Sequence, residues 1–404
     1  MDLGSRESGP VEQQVTRGRR VMTEHKPQRS SRGERCRLRW RRIVWGLAVW
    51  FALLAPGVSQ VAAEELAPET ESGPDDGDDD IDWSAHLRWG LEYDNNPHRR
   101  EGYDDDGDGL TRYLLGGELN HDVGSSTSLE ATLRHGGKLF LYESDANALL
   151  TEVGAIATWR AHRRVYVQVL ADVKDRTESA GRRDYIRGGS GVRLGASLGP
   201  VRPWVEGGAR FFAFKPAPQS SHRGPRARAG LRWMALDALA VDAAAGRHWR
   251  SYATTAWELR DDRFSPVGDD VLRSDAYDTA SVTATYRGGF GARLRYQYGR
   301  NRSNSYGQRL HRHGAELSLT IPVVWDIFVS ARGDIQRTRY EDPVFVDESF
   351  LIDEENRNRL SAAVSRRLSP SWEVELRYSL HSEEFGVGDD YSRQVIGVGV
   401  AAYR

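Results

Sequence analysis

Arginine and carboxylate recur at every second residue along much of this chain. In Arg226-Ala227-Arg228-Ala229-Gly230-Leu231-Arg232-Trp233 and in Ala292-Arg293-Leu294-Arg295-Tyr296 the arginines alternate with small or apolar residues. Trp372-Glu373-Val374-Glu375-Leu376-Arg377-Tyr378 repeats the pattern with acids. Residues two apart share one face of an extended strand, so these charges gather opposite the apolar side chains. The candidates for that face are Arg193, Arg210, Arg226, Arg228, Arg232, Arg293 and Arg295, with Glu118, Glu130, Glu206, Glu316, Glu373 and Glu375. Fixed charges of both signs around a water-filled space can orient and filter small polar solutes. Arginine crowds 185–234 and 291–298, which would favour anions. The same charges could instead zip into ion pairs and close the space to flow.

The sequence also bears on two other chemistries, metal binding and catalysis. Asp104, Asp106 and Asp108 stand at the first, third and fifth positions of a calcium loop, D-x-D-x-D-G. Position twelve of such a loop wants a bidentate glutamate, and Leu115 stands there. The match implies at most a partial structural calcium site, and a solvated acidic loop is the simpler account. No other cofactor is expected. For catalysis, the candidate histidines are His86, His121, His135, His248, His311, His313 and His381. None sits in a motif with a nucleophile, so the chain is not expected to be an enzyme. The sole cysteine, Cys36, lies in the basic leader, so a thiol nucleophile or a zinc–thiolate site is excluded beyond it.

The elements that must carry these charges are strands. In Trp83–Tyr93 the odd positions are Trp83, Ala85, Leu87, Trp89, Leu91 and Tyr93, while His86, Arg88 and Glu92 take even ones. Period two of this kind marks a strand with one apolar face. About sixteen such segments follow one another, the first near 83–93 and the last near 391–403, each of about ten residues. Short gaps such as 122–126, 198–200 and 368–371 alternate with long ones such as 94–110, 250–275 and 341–355. Soluble strands are usually shorter, near five or six residues. The expectation is therefore an all-β, antiparallel, up-and-down transmembrane barrel of about 16 strands, with fourteen or eighteen as the neighbouring even counts. A negative mean hydropathy excludes a bundle of membrane helices but not such a barrel, whose strands average to a polar value.

The remaining organisation fits a secreted membrane protein. Arg35–Arg42 is basic, Ile43–Val58 is apolar, and Val61-Ala62-Ala63 ends in small residues, the three parts of a secretory signal. The expected division is a signal peptide with a long basic leader over 1–63, an acidic disordered linker over 64–82, and the barrel over 83–404. The whole chain holds 56 basic and 58 acidic residues, and the leader takes twelve of the former and five of the latter. The acidic excess beyond it argues against nucleic-acid binding.

Leu91-Glu92-Tyr93-Asp94-Asn95-Asn96-Pro97 closes the first strand, and Asp389-Asp390-Tyr391-Ser392-Arg393-Gln394 opens the last. Both resemble elements at the same places in outer-membrane β-barrel porins and in the C-terminal barrel of surface lipoprotein assembly modifiers. The resemblance implies a bacterial outer membrane of the Gram-negative type. The implied partners are the lipid bilayer, lipopolysaccharide, small solutes and the insertion machinery that reads a terminal aromatic such as Tyr403. It transfers no catalytic residue. The leading expectation is a porin-like channel or transport barrel. The alternatives are a non-conducting barrel for lipoprotein or exopolysaccharide export, and an outer-membrane hydrolase.

Overall fold

A computed structural model describes residues 81–97, 107–261, 263–268, 270–342, 358–383 and 391–404. The first strands are β1 (Ile81–Asp94), β2 (Asp108–Val123), β3 (Thr127–Phe140), β4 (Ala148–His162) and β5 (Val165–Glu178). Next come β6 (Tyr185–Ala196), β7 (Val201–Phe214), β8 (His222–Leu236) and β9 (Leu239–Thr255). A small hairpin follows, β10 (Trp257–Arg260) and β11 (Arg263–Pro266). The chain then resumes with β12 (Leu272–Arg287), β13 (Gly291–Ser303), β14 (Leu310–Pro322) and β15 (Ile327–Tyr340). It ends with β16 (Asn358–Ser369), β17 (Trp372–Glu383) and β18 (Tyr391–Tyr403).

All of these except β10 and β11 form one closed barrel, each strand antiparallel to its neighbours in sequence order, with β1 pairing β18. That is sixteen strands in an up-and-down arrangement, as the alternation implied. Closure leaves no open sheet edge, so every ladder has a partner, which a chain in hydrocarbon requires. Both ends of the barrel segment lie at one rim, where Ala85 and Arg404 exchange two backbone hydrogen bonds of 2.9 Å. Tight turns occupy that rim. One, across Val324–Ile327, places both Trp325 and Asp326 at φ 58°, the left-handed pair of a type I′ hairpin. The long connections lie at the opposite rim, so the terminal rim is periplasmic and the other extracellular.

Two boundaries differ from the sequence reading. The barrel begins at Ile81, which pairs with His121, so two residues assigned to the acidic linker belong to the first strand. The gap at 250–275 is not a plain loop. It holds the last residues of β9 and the β10–β11 hairpin, whose four-residue strands are too short to show periodicity.

The apolar residues are not gathered in an interior core. Leu87, Trp89, Leu133, Val169, Val192, Val205, Leu294, Leu317, Val364 and Leu376 are each exposed by 41% or more, all on the outer face. An apolar surface this extensive on a closed barrel is a membrane surface. Aromatic residues band it. Trp83, Trp159, Trp233 and Trp372 stand outward near the periplasmic rim, and Phe211, Trp249, Tyr296 and Tyr378 stand outward in the extracellular half. Such girdles mark the two membrane–water interfaces. The buried aromatic cluster of Tyr185, Phe212 and Phe214 lies on the inner face near the extracellular rim, where His222 packs 5.4 Å from Phe212.

Candidate functional site: the charged lumen

The inner wall is the charged face. Because side chains alternate, the strand register assigns each residue to one wall or the other. Val205 and Val192 face outward, so Glu206 and its register partner Arg193 face in. By the same rule all thirteen charged candidates from the sequence occupy the inner wall. Ion pairing spends several of them. Glu206, whose side chain is 1% exposed, accepts from Arg193 Nη2 at 2.8 Å and lies 3.1 Å from Arg226 Nη2. Arg193 and Arg228 both stack on Trp204, at 4.5 and 5.5 Å from its ring centre. Glu316 receives Arg332 at 3.0 Å. Glu375 pairs with Arg377 at 2.6 Å, and Glu373 accepts from the Tyr403 hydroxyl at 3.3 Å. Arg232 lies 3.9 Å from Asp242. Glu118 accepts from Asn120 at 3.3 Å. Arg210, Arg293, Arg295 and Glu130 complete the inward set.

A cavity lies against the other wall. It has a volume of about 540 Å³ and is lined from β1–β6 and β15–β18. Of the thirteen candidates only Glu373 and Glu375 border it. Its cations are chiefly Arg88, Arg112, Lys138, Arg332, Arg359, Arg377 and Arg393. A smaller recess of about 80 Å³ adjoins it, and there Arg112, Lys138, Arg359 and Arg377 face one carboxylate, Glu92. Glu92 binds Arg112 at 2.5 Å. The Nε atoms of Arg112 and Arg359 are buried without a protein acceptor. Donors so placed are held for an acceptor that is not part of the wall, such as water or an anion. Four cations within one recess are what an anion would be drawn into.

Sequence reasoning missed Arg112, Lys138 and Arg359. Arg112 sits beside Leu114-Leu115 and Lys138 beside Gly136-Gly137, so strict alternation fails around each and the inward face is ambiguous. Arg359 is the second residue of its strand. The one available signal was parity carried in from the cleaner half of each strand.

The two motifs that suggested a family resemblance meet at the closing seam. Arg393 Nε donates to both carboxylate oxygens of Asp94 at 2.8 Å, and its Nη2 also binds Asp94. Asn95 Oδ1 accepts from Gln394 N at 2.6 Å, and Asn96 Nδ2 donates to the Ser392 carbonyl at 3.4 Å. The Asp94–Arg393 pair is buried, with side chains 0% and 4% exposed. It clamps β1 to β18 above the backbone ladder.

Of the calcium-loop aspartates, Asp104 and Asp106 lie outside the described residues. Asp108 is buried, and its Oδ2 accepts from the backbone N–H groups of Tyr142 and Glu143, each at 2.9 Å. This carboxylate therefore anchors the β3–β4 connection. Asp108→Ala removes two charge-assisted bonds, for an expected loss of about 1–3 kcal/mol. The measurable consequence is faster proteolytic cleavage at 141–147, and an unchanged cleavage rate would contradict that role. Histidines also serve cross-strand contacts: His135 bridges Tyr113 and Thr151, at 3.2 and 3.0 Å, on the outer wall.

A closed sixteen-strand barrel, apolar and aromatic-banded outside and charged inside, is an outer-membrane β-barrel. No protein family and no curated protein sequence matches the chain. Solved structures with a similar fold include the outer-membrane-expressed OmpT of Vibrio cholerae, at 12% identity and a TM-score of 0.42, covering 80% of this chain and 97% of that one. A mutant of the Rh. blastica porin aligns at 13% identity and a TM-score of 0.37, over 80% of this chain and 100% of that one. A mutant of the TodX monoaromatic hydrocarbon channel aligns at 9% identity and a TM-score of 0.36, over 81% and 90%.

Proposed function

We propose that this barrel is a porin-like channel that passes small polar solutes across the bacterial outer membrane and favours anions. The observation that carries the reading is the recess where Arg112, Lys138, Arg359 and Arg377 oppose Glu92 alone. Barrels of sixteen strands are wide enough to leave an aqueous channel. The charged wall works by partition rather than by reaction. Cations on the wall raise the local concentration of anions and lower that of cations, and no group need gain or lose a covalent bond. On the facing wall Glu206 offsets one of the two charges of Arg193 and Arg226, so that cluster adds less positive charge than its arginines alone would. Purified protein reconstituted in a planar bilayer is expected to give discrete conductance steps. A folded barrel that stays silent at all voltages would overturn the channel reading.

A further inference from the structure

One part of the outer wall breaks the rule that outward residues are apolar. On β13–β15 the outward positions below the basic rows are apolar, with Leu294, Leu317 and Ile335 exposed by 55%, 52% and 70%. Toward the extracellular rim they turn basic. The register sets Arg247, Asp278, Arg300, His311 and Arg339 side by side across β9, β12, β13, β14 and β15. One row nearer the apolar belt stand Tyr298, His313 and Arg337, and one row farther out stands Arg302.

These are outward positions by parity with Leu294, Leu317 and Ile335, so none of these groups can serve the lumen. Five arginines, Arg247, Arg300, Arg302, Arg337 and Arg339, are set against two carboxylates. Asp278 takes Arg247 at 2.5 Å and Arg302 at 2.7 Å. Glu341 takes His311 at 2.7 Å and lies 3.7 Å from Arg300. Arg337 and Arg339 are exposed and form no ion pair among the described residues. Tyr296 and Tyr298 bind the Nδ1 atoms of His313 and His311, both at 2.7 Å, which fixes the rings beside the arginines. On β2–β5 the outward groups at comparable positions are Tyr113, His135, Thr151 and Asp175, and the cation there, Lys215, is held by Asp175 at 3.0 Å. The basic strip thus belongs to one wall.

We propose that this strip binds the phosphorylated headgroup of the outer-leaflet glycolipid, lipid A. Its height selects the ligand. The strip directly borders the apolar belt, where the headgroup phosphates of a membrane lipid lie and where a soluble anion would have no reason to settle. Its width selects the headgroup. Strands stand about 4.8 Å apart, so a row across five of them spans about 20 Å, which suits a headgroup with more than one phosphate. Arginine forks bind phosphate bidentately, and the tyrosine and histidine groups can hydrogen-bond sugar hydroxyls. The acyl chains would then lie on Leu294, Leu317 and Ile335. This rests on the barrel lying in the outer membrane and not on its conducting.

The test is native mass spectrometry of the full-length barrel in detergent, titrated in turn with bisphosphorylated lipid A, dephosphorylated lipid A, phosphatidylglycerol and inorganic phosphate. Lipid A is expected to be retained and the other three not. The triple variant Arg300→Ser/Arg337→Ser/Arg339→Ser should bind it roughly a hundredfold more weakly, about fivefold for each arginine near a charged surface. Arg337→Lys/Arg339→Lys should keep most of the binding, and Lys215→Ser, outside the strip, should keep all of it. Conductance of the triple variant in bilayers should match the unmodified protein, which separates this result from the channel reading. Unchanged binding by the triple variant would overturn the proposal. So would equal retention of dephosphorylated lipid A, of phosphatidylglycerol or of inorganic phosphate.

Discussion

Replacing Arg112, Arg359 and Arg377 together by serine will sharply weaken the anion preference of the lumen. In water a unit charge about 6 Å from a passing ion contributes about 0.7 kcal/mol, roughly threefold in partitioning. Three such charges therefore amount to about thirtyfold in the partitioning of anions, with the opposite change for cations, before screening by salt. Removing them leaves Arg88, Lys138, Lys174, Arg176, Arg332 and Arg393 on the same cavity with Glu92, Asp334, Glu373 and Glu375, so the preference should weaken and not reverse. The effect must shrink in concentrated salt, because the screening length falls from about 10 Å at 0.1 M to about 3 Å at 1 M. The matching substitution on the facing wall, Arg193→Ser/Arg226→Ser, should have a smaller effect on selectivity, since it removes two charges rather than three. Equal effects from the two sets would mean that the recess does not set the preference.

The second large effect is expected at the seam. Asp94→Ala leaves the Arg393 guanidinium buried with its main partner gone. Breaking a buried pair in this way costs about 3–5 kcal/mol, mostly because the surviving charge is uncompensated. Urea unfolding of the barrel in lipid vesicles reads this directly. The double variant Asp94→Ala/Arg393→Ala should be less destabilised than the two single losses added together, because it strands no charge. A single variant within about 1 kcal/mol of the unmodified protein would contradict the clamp. The backbone ladder from His86 to Asp94 against Val395 to Tyr403 would remain, so the expected product is a weakened barrel and not an unfolded chain.

These two sites differ in how far the sequence reveals them. The strands were legible because lipid on one side and water on the other force period two, and Trp372–Tyr378 shows it without a break. The strand number followed from the alternation of long and short gaps. Asp94 and Arg393 were each visible within a motif, but 299 residues separate them and no local pattern says that β1 closes on β18. The lumen charges were assigned to the inner wall by parity, yet parity does not say which strands face the open space. That depends on the register of strands far apart in the chain. The arginine-dense stretches 185–234 and 291–298 drew attention first. Yet Arg193 and Arg226 share one carboxylate there, while the recess is built from isolated basic residues on β2, β3, β16 and β17. The outward strip was hidden for another reason. Arg300 and Arg339 occupy positions where alternation predicts apolar side chains, and only the height of the belt shows that they stand above it.

The claim on which the rest depends is that the lumen conducts and prefers anions. The most direct measurement is the reversal potential of the reconstituted, unmodified barrel in a tenfold gradient of potassium chloride at low salt. An anion-preferring lumen gives a potential of the sign set by chloride flowing down its gradient. A reversal potential of the opposite sign, set by potassium, would contradict it.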